Sequence, residues 1–117
     1  MARPLPVIYA CSGCTSAGQL ADHAARTLDR AGLAEMASVA GIGAGDAQEL
    51  GRARSRFPVI ALDGCVNACV RRCLERNGIQ PARHYVLSSY GVAKRGRNDF
   101  TAEEAERVLQ ALRADLG

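Results

Sequence analysis

The sequence predicts an α/β fold in a single domain spanning residues 1–117: a three-layer αβα arrangement around a four-stranded parallel sheet of order 2-1-3-4. Two observations carry this. Short apolar runs of strand length alternate with helical stretches in the order β-α-β-α-β-α-β-α, which calls for parallel strands joined by right-handed crossovers. The third run, 57–62, is apolar throughout, as expected of a strand covered on both faces.

Residues 5–10 (Leu-Pro-Val-Ile-Tyr-Ala) form the first strand, with Pro6 at its entrance. A helix follows the small polar segment Cys11–Thr15. Ser16 is its expected N-cap, and Ala17, Leu20, Ala21, Ala24, Leu28 and Ala31 mark its buried stripe up to the stop at Gly32. Met36–Ile42 is a weaker second strand running into a Gly-rich turn. Residues 46–55 form a helix capped by Asp46, with basic residues in its last turn. After the third strand, Asn67–Asn77 is expected to be helical and to stop at Gly78. Tyr85–Ser88 is the fourth strand. A loop with Gly91, Gly96 and Asn98 leads to a last helix opened by a Thr101/Glu104 capping box, burying Val108, Leu109, Leu112 and Leu116.

Composition narrows the functional classes. Five aromatics and no Trp argue against base stacking, and a net charge of +3, spread over Arg52–Arg56, Arg71–Arg72 and Lys94–Arg97, argues against a nucleic-acid partner. The segment MARPLPVIYACSGC lacks a signal-peptide core, and its apolar run is too short to span a bilayer, so no membrane partner is expected and the expected location is the cytoplasm. Five cysteines in a reducing compartment point to metal or redox chemistry before structural disulfides.

Four of those cysteines sit in two pairs at strand ends. Cys11 and Cys14 follow the first strand; Cys65 and Cys69 follow the third. In a sheet of order 2-1-3-4 the crevice beyond the strand ends lies between strands one and three, so the pairs face each other across it. A C-x-x-C turn presents two sulfurs to one ion, and i, i+4 spacing places Cys65 and Cys69 on one helix face. Four thiolates complete a tetrahedral zinc site with Zn–S distances of roughly 2.3 Å. Arg71, Arg72, Lys94 and Arg95 are available to offset its negative charge. Cys73 continues the stripe into the helix interior and is assigned to packing. Ser88, Ser89 and Tyr90 are placed at the rim of the same crevice. Asp63 is expected to accept backbone N–H bonds in a tight turn permitted by Gly64.

The run Asp63-Gly64-Cys65 with Cys69 resembles the DGC-domain family, which takes its name from that motif and is described as zinc-binding. Tyr9-Ala10-Cys11-Ser12-Gly13-Cys14 followed by Gly18, Leu20, Ala21 and Asp22 is similar to the family's N-terminal pattern. Met36 with Ala40-Gly41-Ile42-Gly43 is similar to its middle, and Gly91-Val92-Ala93-Lys94 to its late Gly-x-x-Lys. The resemblance implies a four-cysteine metal site. Many members carry Cys where this chain has Ser38, and Thr where it has Cys73.

The expected function is therefore metal handling or sensing, with zinc as the favoured cofactor and an iron–sulfur cluster as the alternative. A closed site leaves no open coordination position, which favours binding over catalysis. A thiol oxidoreductase using Cys11/Cys14, with Pro58 beside it, or a sulfur carrier, is the enzyme-class alternative. Other chemistries are excluded: Ala17 and Leu20 stand where a cysteine phosphatase loop needs Arg, and Asp46 stands where a dinucleotide fingerprint needs Gly. His23 and His84 are expected to play surface or core roles.

Overall fold

In the computed structural model, residues 5–55, 58–95 and 99–116 are described. Phe57 of the third predicted strand, Arg56, and Gly96, Arg97 and Asn98 of the late loop lie outside them. Four parallel strands, β1 (Val7–Ala10), β2 (Glu35–Met36), β3 (Val59–Asp63) and β4 (Arg83–Val86), form one sheet of order β2-β1-β3-β4. This is the predicted order. It places β1 and β3 at the centre, with Ala10 paired to Leu62 at their C-terminal ends.

Strand alternation divides the core into two layers. Ile8, Ala10, Ile60 and Leu62 face α1 (Ser16–Arg30) and α5 (Ala102–Leu116), against Leu20, Ala24, Leu28, Val108 and Leu112. Val7, Tyr9, Val59 and Ala61 face the other way, where Ile42, Ala53, Val70 and Leu74 come from α2 (Val39–Gly43), α3 (Ala47–Ser55) and α4 (Cys69–Arg76). The Ala-rich stripe of α1, with Ala17, Ala21, Ala24 and Ala25 fully buried, lets that helix lie close on the sheet.

Four boundaries differ from the sequence expectation. The second strand ends at Met36, because the Ser38 side chain accepts from Gly41 N at 3.0 Å and starts α2 where a strand was expected. Thr15 rather than Ser16 caps α1, accepting from Gly18 N at 3.2 Å. Helix α4 starts at Cys69, since Ala68 before it is left-handed (φ 51°, ψ 48°). The fourth strand ends at Val86 and passes into a 3-10 turn, Leu87–Tyr90. The Asp46 cap of α3 and the Thr101/Glu104 capping box of α5 form as expected.

Candidate metal-thiolate site

Two loops share the C-terminal edge of the sheet. The first, Cys11–Thr15, links β1 to α1; the second, Gly64–Ala68, links β3 to α4. Cys11 N donates to Leu62 O at 3.0 Å, so the β1–β3 ladder continues into the first loop.

Close approach of these loops depends on two glycines. A methyl group on Gly64 would stand 2.7 to 2.9 Å from the backbone of Ala17 and Gly18, and one on Gly18 would collide with the Ser12 carbonyl oxygen. The start of α1 thus lies directly against the β3–α4 loop.

The four predicted ligands are placed unequally. Cys11 is half-buried, and burial pushes its thiol upward; the Gly64 N–H opposes the rise, while the charges of Asp63, Cys69 and Cys14 add to it. Cys11 therefore lies within electrostatic reach of Cys14 and Cys69. Those two are exposed, and Cys65 is half-buried at the head of the second loop. The expectation that Cys65 and Cys69 share a helix face is corrected: Cys65 precedes the left-handed Ala68, and it is Cys69 and Cys73 that lie one turn apart on α4. Among the described residues, no three His, Cys, Asp or Glu side chains are gathered as a ready-made metal cage. What the two adjacent loops share is donor chemistry, since thiolates are the ligands that soft metals take.

Asp63 organises the second loop, as the sequence suggested. It is buried; Oδ1 accepts from Val70 N at 2.7 Å, and Oδ2 from Arg71 N at 3.2 Å. These amides belong to the first turn of α4, whose N-cap Ala68 has no side chain to satisfy them. His84 Nε2 donates to the same Oδ2 at 2.8 Å, so the histidine expected to play a surface or core role braces the motif's aspartate. The signal missed was register: Ala61 pairs with His84 and Asp63 with Val86, which makes Asp63 and His84 diagonal neighbours on one sheet face. His23 packs its ring on Phe100, with centroids 5.2 Å apart.

A third loop closes over the start of α1. Ser16, fully buried, donates through Oγ to Ala93 O and accepts from Arg95 N, both at 2.8 Å, while its own N–H donates to Arg95 O at 2.8 Å. Glu104 holds the loop from α5, accepting from Ala93 N, Arg95 Nη2 and Thr101 N at 2.9, 2.9 and 2.8 Å. Of the basic residues expected near the site, Arg95 is thus committed to Glu104, and Arg71 lies 4.0 Å from Glu75. Lys94 is exposed, carried on a backbone pinned at Ala93 and Arg95. Ser88 enters through its N–H, which donates to Gly64 O at 3.2 Å; the Ser89 hydroxyl bonds locally to Val86 O.

The amides of Ala93 and Thr101, with the Arg95 guanidinium, hold the Glu104 carboxyl at about 2, below its usual 4.5. Because the folded-state value is depressed, this contribution is complete above pH 4.5 and is lost as pH falls toward 2. In Glu104→Gln, the acid-side loss of stability between those two values should be shallower than in the wild type. Chemical denaturation at stepped pH measures this.

A family model described as the DGC domain matches residues 7–112. The chain belongs to the DGC-domain family. Within the DGC domain, Asp63 is thus the helix brace, Gly64 the point of close backbone approach, and Cys65 the head of the loop. A relative, the Anaerobic and virulence modulator AnvM of Pseudomonas aeruginosa, is 48% identical over 109 residues, covering 93% of this chain and 83% of that protein. No solved structure matches the chain. No helix among the described residues is long and apolar enough to cross a membrane.

Proposed function

We propose that this DGC-domain protein binds a metal ion through the thiolates of Cys11, Cys14, Cys65 and Cys69, with zinc as the occupant, and that the bound state serves metal handling or sensing. One observation carries the reading: the β2-β1-β3-β4 order sets the two cysteine loops side by side at the ends of the central strands, with Cys11 within electrostatic reach of Cys14 and Cys69. Thiolate donors suit zinc, and closing four of them on one ion leaves no position for a substrate. The reading needs reduced thiols and hence a cytoplasmic setting. A relative named as a modulator favours a regulatory role over an enzymatic one. Four thiolates would equally hold an iron–sulfur cluster, which is the second occupant to test.

Metal analysis and a visible spectrum of anaerobically purified protein separate these. Colourless protein with one zinc per chain is the expected result, and brown protein would assign the cluster. Metal-free protein that takes up neither zinc nor iron would refute the reading. Cys65→Ser and Cys69→Ser should each abolish binding, whereas Cys73→Ser should retain it; equal loss in all three would overturn the ligand set.

A further inference from the structure

Helix α4 buries one face, through Val70 and Leu74, and leaves the other open. Cys69, Arg72, Cys73 and Arg76 follow at i, i+3, i+4 and i+7, a single stripe in which Cys73 also packs against the buried layer beside α2. Together with Glu75 they line an open depression of about 620 Å³. Its charge is unbalanced. Glu75 is the one acid in the lining, and its carboxylate lies 4.0 Å from Arg71. Among the described residues, the Arg72 guanidinium bonds at 3.5 Å to Asn67 O and pairs with no carboxylate, and Arg76 has no carboxylate partner. Cys73 sits between these two arginines along the stripe. It is half-buried, with its sulfur directed toward α2, where a methyl on Gly43 would touch it at 4.0 Å.

Guanidinium groups flanking a thiol recognise a ligand that is both anionic and sulfur-reactive: the carboxylates pair with Arg, and the sulfur meets the cysteine. We infer that the α4 depression is a docking site for a small polycarboxylate disulfide, which exchanges onto Cys73. The Cys73 thiol gives its proton to solvent, and its sulfur attacks one sulfur of the bound disulfide. The ligand's S–S bond breaks as the Cys73–S–S bond forms, and the second half leaves as a thiolate that takes up a proton. No net oxidant is needed beyond the disulfide itself. The site is separate from the proposed metal ligands except at Cys69, which lines both.

The test uses oxidised glutathione as the anionic probe, hydroxyethyl disulfide as the neutral one and cystamine as the cationic one, with adducts located by peptide mass spectrometry. The expected result is a glutathione adduct on Cys73 that disappears in Cys73→Ser. In the doubly substituted Arg72→Gln/Arg76→Gln protein the glutathione disulfide rate should fall about tenfold, while the neutral probe's rate stays within about twofold. Both arginines are exposed, so the fold tolerates these changes. An adduct on Cys11 or Cys14 in place of Cys73, a cystamine rate matching that of glutathione disulfide, or no change in the double variant would each overturn the inference. Zinc content measured on the same samples reports on the metal reading separately.

Discussion

Gly64→Ala is expected to destabilise the protein by about 3 kcal/mol or more, lowering Tm by roughly 10 °C. The added methyl would meet the carbonyl carbon and oxygen of Ala17 and the nitrogen of Gly18 at 2.7 to 2.9 Å. All three are backbone atoms of α1, so no side chain can rotate aside. Relief requires moving the helix off the β3–α4 loop, which would also separate Cys11 from Cys69. The internal control is Gly51→Ala. Gly51 lies inside α3 with open space where its methyl would go, so the change should stabilise by about 0.5–1 kcal/mol. Thermal melts of the two variants should move in opposite directions. A Gly64→Ala protein melting with the wild type would refute the packing described for the loops.

Asp63→Ala is expected to cost a similar amount, about 3 kcal/mol, for a different reason. The carboxylate accepts from Val70 N, Arg71 N and His84 Nε2 while buried, so its loss orphans three donors at once. Asp63→Asn keeps one acceptor oxygen and should lose less. His84→Ala removes a single partner and should cost about 1 kcal/mol. The double variant Asp63→Ala/His84→Ala should be less destabilised than the sum of the single changes, because both act on one network. Hydrogen exchange at the Val70 and Arg71 amides gives a local readout. Protection there that survives Asp63→Ala would show that something other than Asp63 caps α4.

The two variants mark how far the sequence could be read. The DGC motif was visible as three residues with local tasks, and two of those tasks hold: Gly64 permits close approach, and Asp63 accepts backbone bonds. The histidine on Asp63 was not legible, because it lies 21 residues away and reaches the site only through the register of β4 on β3. The buried Ser16 was read as a cap. Its hydroxyl instead joins residues 93 and 95, a partnership no local pattern encodes. The Cys65/Cys69 spacing suggested one helix face, yet a single left-handed residue, Ala68, moves the helix start and hands that face to Cys69 and Cys73. An alanine carries no sequence signal for that conformation, which costs about 1–2 kcal/mol outside glycine and is held by its surroundings.

By itself, then, the sequence determined the alternation of strands and helices, the caps of α3 and α5, and the lodging of two cysteine pairs at strand ends. Hydrophobic period and capping act over a few residues, so these are written locally. Tertiary structure alone decided which groups meet at those ends: the Asp63–His84 brace, the pinning of residues 93–95 onto Ser16, and the Cys69–Cys73 stripe of α4. Those contacts follow from strand register and from backbone-to-backbone approach, which are properties of the assembled sheet and not of any one segment.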